Sequence, residues 1–98
     1  MKINQEEFEI LRKVSKNPKA SQRELSSYLD ISLGKINFVL NELKKKGLIK
    51  IKNFKKNPNK ERYIYILTPI GIKHKTKLTI DFMKRKMQEY DELKKELE

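Results

Sequence analysis

The chain has no cysteine, no tryptophan and a single histidine, His74, among its 98 residues. Without cysteine there are no disulfides, no thiolate nucleophile and no sulfur-ligated zinc. One histidine rules out multi-histidine metal sites within the chain. Long apolar runs are also missing: no stretch approaches the length of a membrane span, and the opening residues MKINQEEFEI lack the apolar core of a secretory signal. A soluble, cytoplasmic protein without metal or cofactor is therefore expected. There is no phosphate-binding glycine loop, no nucleophile–base pair and no pair of carboxylates in an apolar setting, so no enzyme is expected. Glycine and proline occur three times each, and the chain shows neither a flexible linker nor an internal repeat.

What the chain has in abundance is positive charge. Twenty-four Lys and Arg against thirteen Asp and Glu leave a formal charge of +11 and a pI near 9.9. Such a balance implies an anionic partner, nucleic acid before a membrane surface. The apolar fraction is only 37%. A chain this short buries roughly 60–70% of its unfolded surface around one core, so part of its stability is expected from a partner subunit.

Hydrophobic spacing predicts four helices and a hairpin. Phe8, Ile10, Leu11 and Val14 recur at three or four residues, the apolar stripe of a helix from Gln5 to Lys16 that ends at Asn17-Pro18. Ser21-Gln22-Arg23-Glu24 reads as a capping box, the Ser21 hydroxyl accepting from the Glu24 amide and the Glu24 carboxylate reaching back to the Ser21 amide. The short helix it opens has Leu25, Tyr28 and Leu29 on its inner face. After the turn Asp30-Ile31-Ser32, Ser32 caps a third helix with Ile36, Val39, Leu40 and Leu43 inward, ending at Gly47. The period then changes to two over residues 48–54, and a returning strand over 62–67 follows a turn-forming basic tip. Thr68-Pro69 opens a last helix, with threonine as cap and proline at the first helical position, which nothing breaks before Glu98.

Two helices joined by a three-residue turn and followed by a hairpin are the order of a winged helix-turn-helix. The expected fold is mostly α with a small β-hairpin and a long C-terminal helix, divided as a DNA-binding domain over residues 1–68 and a dimerisation helix over 69–98. The start of the third helix would then meet base edges in the major groove of double-stranded DNA. Gly34, Phe38, Asn41 and Lys45 fall on its outer face, with Leu33, Lys35 and Asn37 on the flanks. Lys35 is suited to guanine O6 or N7 and Asn37 to a bidentate pair with adenine. Gly34 would let the backbone approach closely. Phe38 either meets a thymine methyl or packs under the hairpin as core.

Residues 44–62 hold nine cations and one acid, a net +8 that coincides with the wing. Ser21, Arg23, Lys45 and Lys52 are assigned to the DNA backbone, together with Lys55, Lys56, Asn57, Asn59, Lys60 and Arg62 of the wing. The last helix is basic in its first half, through Lys73, Lys75, Lys77, Lys84, Arg85 and Lys86, and acidic from Gln88 onward. Ile80, Met83, Met87, Tyr90, Leu93 and Leu97 form one stripe along it, which predicts a homodimer interface. The alternative is that this helix folds back on the first. His74 is expected to be a plain surface residue. A different class of function, a non-catalytic RNA-binding or protein-interaction module, would use exposed aromatics such as Tyr63 and Tyr65. They alternate with Ile64 and Ile66, so one face of that strand is core and the tyrosines are expected to pack against helix.

Five segments together resemble the MarR-type winged-helix regulators: SQREL at 21–25, SLGKINF at 32–38, KGLIKIKNF at 46–54, LTPIGI at 67–72 and FMKRKMQEY at 82–90. They are most similar to the subgroup associated with exopolysaccharide gene clusters. The resemblance implies a dimeric transcription factor acting on cell-surface or exopolysaccharide genes, and repression is the expected mode. It places the DNA-reading stretch at residues 32–38, which adds Ser32 to the reading set, and the wing at 55–62. Full-length MarR proteins carry further terminal helices that build a pocket for small phenolic effectors. Here one long helix stands in their place, which argues against a small-molecule effector.

Overall fold

In the computed structural model, which describes residues 3–53 and 63–98, six elements follow one another. They are α1 (Gln5–Lys16), α2 (Gln22–Leu29), α3 (Leu33–Lys45), β1 (Ile49–Asn53), β2 (Tyr63–Leu67) and α4 (Pro69–Glu96). Each helix begins on a side-chain cap. Asn4, Ser21, Ser32 and Thr68 accept from the backbone amides of Glu7, Glu24, Lys35 and Gly71, which satisfies donors that the first turn leaves open. The full capping box lies at α1, where the Glu7 carboxylate also accepts from the Asn4 amide. At α2 the expected box is incomplete: the Glu24 carboxylate accepts from the Ser21 hydroxyl rather than from its amide.

The apolar stripes of α1 and α3 close on each other and on the hairpin, α1 against β2 and α3 against β1. Ile10, Leu11, Leu25, Ile36, Leu40, Leu43 and Leu48 have no exposed surface, each such side chain contributing about 1.5–3 kcal/mol by burial. Tyr28, expected on the inner face of α2, is instead 58% exposed. The helix has only eight residues, and Leu25 with half-buried Leu29 already fills its contact with α1, so Tyr28 lies outside under the ammonium of Lys13. The turn after α2 is made by Asp30, in the left-handed region at φ 54°, and by the Ser26 hydroxyl, which donates to the Ile31 carbonyl.

α3 ends at Lys45, with Lys46 as its cap. Gly47 follows at φ 74°, a conformation that costs glycine little. The chain then enters β1, antiparallel to β2 with Ile49 opposite Leu67 and Ile51 opposite Tyr65. That register turns Ile49 and Tyr65 into the core and leaves Lys50 and Lys52 exposed on the other face. Tyr65 is clamped by its neighbours: its amide donates to the Pro18 carbonyl and its hydroxyl accepts from Gln22 Nε2 at 3.2 Å. Burial pushes that hydroxyl above the usual tyrosine range, against the lowering effect of the Gln22 bond.

α4 leaves the hairpin beside the start of β1. The Thr68 amide donates to the Leu48 carbonyl, and Gly71 packs so closely there that an added methyl would sit 2.0 Å from the same oxygen. The first half of α4 lies along α1, where Phe82 meets Phe8 at 6.3 Å between ring centroids and Arg12 covers both rings. His74, expected as a plain surface residue, is half-buried in a groove between α1 and α4 with Asn4, Glu7, Lys77 and Asp81. The second half of α4 projects beyond the core, and the molecule is 60 Å long but only 26 Å and 20 Å across.

Candidate nucleic-acid interface

α3 divides sharply into two faces. Ile36, Val39, Leu40 and Leu43 are buried, whereas Ser32, Leu33, Gly34, Lys35, Asn37, Phe38, Asn41 and Lys45 are all exposed. The residues singled out for reading DNA therefore share one solvent-facing surface, concentrated at the N-terminal half of the helix. The Ser32 hydroxyl is engaged as the cap, accepting from the Lys35 amide at 3.2 Å. A methyl added at Gly34 would meet nothing within 4 Å, so the backbone is open to approach there. Phe38 is 60% exposed, which rules out its alternative place as core under the hairpin.

Two side-chain contacts organise this surface. Asn41 Nδ2 donates to Asn37 Oδ1 at 2.7 Å. That leaves both amide hydrogens of Asn37 and one lone pair of its oxygen for an external partner. Lys35 Nζ stands 3.7 Å from Glu6 Oε2 at the start of α1, both side chains about half exposed. An ion pair of that kind is worth about 0–1 kcal/mol, little enough to be exchanged for a stronger acceptor.

Behind the surface, Glu7 ties α1 to the end of α3 through Lys46 at 2.7 Å. Glu7 is 5% exposed, and its second oxygen accepts from the Asn4 amide, so the buried carboxylate is fully satisfied. Sequence reasoning missed Glu6, Glu7 and Lys46. The Asn4…Glu7 spacing, the same as Ser21…Glu24, was a readable signal for the cap, but no local pattern pairs position 7 with position 46. Of the residues assigned to the DNA backbone, Arg23, Lys45 and Lys52 are exposed and Ser21 is half-buried. Lys45 also pairs with Glu42 at 3.5 Å. Lys55, Lys56, Asn57, Asn59, Lys60 and Arg62 lie outside the described residues. Tyr65 is buried and Tyr63 is 38% exposed, so the strand offers no pair of free aromatics for stacking bases.

A capped pair of helices joined by a tight turn, the second presenting a polar face and leading into an antiparallel hairpin, settles the architecture. The fold is a winged helix-turn-helix. Residues 4–50 match the family described as winged helix-turn-helix DNA-binding. No curated protein sequence matches the chain. Among solved structures the winged helix-turn-helix is similar to FabT of Streptococcus pneumoniae, determined in complex with DNA. That likeness has 22% identity and a TM-score of 0.74, and covers 92% of this chain and 61% of that one. It is also similar to MarR of Staphylococcus aureus in complex with salicylate and kanamycin, with 22% identity and a TM-score of 0.77 over 92% of this chain and 59% of that one. Ligand-free MarR of E. coli is 25% identical, with a TM-score of 0.66 over 76% of this chain and 54% of that one. The chain thus spans less than two thirds of the length of these MarR-type proteins. No helix among the described residues is long and apolar enough to cross a membrane.

Proposed function

We propose that this winged helix-turn-helix is a sequence-specific, double-stranded-DNA-binding transcriptional regulator, a repressor, that works as a homodimer. The observation that carries this reading is the exposed polar start of α3, with Lys35 and Asn37 beside an open Gly34 and an uncovered Phe38. In this assignment α3 enters the major groove, Lys35 and Asn37 read base edges, and Phe38 meets a thymine methyl. Lys45, Lys52 and the basic residues of 55–62 neutralise phosphates. Residues 1–68 are the DNA-binding domain and 69–98 the dimerising helix, whose stripe joins two copies. The pneumococcal relative solved with DNA supports the reading through its shared fold. The segments at 32–38 and 82–90 support a place in the subgroup associated with exopolysaccharide gene clusters, and so a role at cell-surface genes.

The test is equilibrium binding of the full chain to a labelled duplex from upstream of its own operon, against a random duplex of equal length, at two salt concentrations. A preference of at least ~10³-fold that persists at the higher salt is expected. Equal affinities that collapse together as salt rises would mean that the +11 charge alone does the binding, and the regulator reading would fall.

A further inference from the structure

Among the described residues, the outer face of α4 carries the longest run of exposed large apolar side chains. Gly71, His74, Leu78 and Phe82 turn toward α1 and the hairpin and are buried or half-buried. Ile80, Met83, Met87, Tyr90 and Leu97 lie on the opposite side, with exposures from 47% to 89%. With Lys94, and without Leu93, which is also exposed on the flank of this face, they fall in two seven-residue series, Ile80, Met87, Lys94 and Met83, Tyr90, Leu97, which is the seam of a two-helix pair. The same helix is polarised along its length: residues 73–86 carry six cations and one acid, and residues 88–98 carry five acids and two cations.

We infer that this face is covered by a second copy of the chain running antiparallel, with Lys84 set against Asp91 of the partner subunit and Lys77 against Glu98 of the partner subunit. The inference rests on the homodimer reading above and adds to it the direction and the register. In a parallel pair the basic halves would lie side by side, the acidic tails likewise, and two copies of Lys94 would meet within the seam. Like charges so placed repel. Reversing one helix removes all three conflicts. Lys77, Lys84, Asp91 and Glu98 recur every seven residues along one flank as two cations followed by two acids, so read in opposite directions each meets its complement. The matching seam layers are Ile80 with Leu97 and Met87 with Tyr90, while Met83 packs on the alkyl stem of Lys94.

These flank residues are available for such pairs. Lys77, Lys84, Asp91 and Glu98 make no ion pair among the described residues. Lys86, the cation that a parallel pair would set against Asp91, is already held by Glu89 at 3.3 Å and lies over the Phe82 ring. The helical part of the seam, residues 77–96, is about 30 Å long at 1.5 Å per residue, between five and six turns, with Leu97 as the C-cap of α4.

The test uses the full chain and sedimentation equilibrium. Asp91→Lys should weaken self-association at least ~10-fold, since two symmetric attractive pairs become repulsive. Adding Lys84→Glu should restore it, and adding Lys86→Glu should not. Because the chain has no cysteine, introduced thiols report direction: Ile80→Cys with Leu97→Cys should oxidise to a covalent dimer, while Leu97→Cys alone should not. Circular dichroism of each variant shows whether α4 is still formed. Rescue by Lys86→Glu, or ready oxidation of Leu97→Cys alone, would overturn the antiparallel direction with the dimer intact. An unaltered dimer in Asp91→Lys would overturn the register. A wild-type chain that stays monomeric up to high micromolar concentration would overturn the dimer reading itself.

Discussion

In the proposed complex Lys35 would choose between two acceptors of unequal strength. In the free chain its ammonium rests 3.7 Å from the Glu6 carboxylate in water, an arrangement worth about 0–1 kcal/mol. A well-made contact to the right base is worth about 1–3 kcal/mol in discrimination against the wrong one, so in the proposed complex the ion pair would not hold the side chain back from a base. Asn37 is placed in a similar way by Asn41 at 2.7 Å, with its donors free. Lys35→Ala or Asn37→Ala should therefore cost about 1–3 kcal/mol on the specific duplex and little on random DNA. Lys52→Ala, on the exposed face of β1, should weaken both equally and lower the salt slope by about one. Fluorescence anisotropy titrations at several salt concentrations measure all three. Identical behaviour would sink the division into reading and anchoring residues.

Elements are set in place by a few close approaches, and two glycines illustrate opposite cases. At Gly71, α4 crosses the start of β1 with an added methyl only 2.0 Å from the Leu48 carbonyl oxygen. That oxygen also accepts from the Thr68 amide, so it cannot move away freely. Gly71→Ala should destabilise the fold by about 1–3 kcal/mol, as overpacking does. Gly34 is in open space on α3, and Gly34→Ala should stabilise by up to about 1 kcal/mol through helix propensity and a stiffer unfolded chain. Urea unfolding of the two variants checks both signs. If Gly71→Ala unfolds at the wild-type midpoint, the crossing is looser than the 2.0 Å approach requires.

At the scale of the whole molecule, charge and shape act together. In the proposed complex the net +11 would provide long-range attraction to DNA, but it could not choose a sequence, because phosphates are the same everywhere. On the proposed reading, choice falls to the small polar face of α3, and a single such face would make few base contacts. Two copies joined through α4 would read two half-sites, the second binding at a high effective concentration. A duplex with one half-site scrambled should therefore bind at least ~10²-fold more weakly than the intact site. A loss no greater than that of one mismatched base pair, about 1–3 kcal/mol, would argue for recognition by one subunit at a time.

The element plan was legible in the sequence because it rests on local physics. Serine and threonine caps, the proline at the start of α4, Gly47 after α3 and the change of period from 3.6 to 2 all act within a few residues. The buried face of α3 followed from the same spacing, and with it the outward set from Leu33 to Asn41. The tertiary structure decided what depends on distant chain. It turned Tyr28 out, because α1 meets so short a helix through Leu25 and Leu29. It exposed Phe38, because the hairpin's inward face closes on the core through Ile49 and Tyr65 instead. It half-buried His74 beside α1, and it paired Glu6 with Lys35 and Glu7 with Lys46. Such pairings join residues far apart in the chain, and no periodic pattern encodes them, because they exist only once burial has brought the helices together.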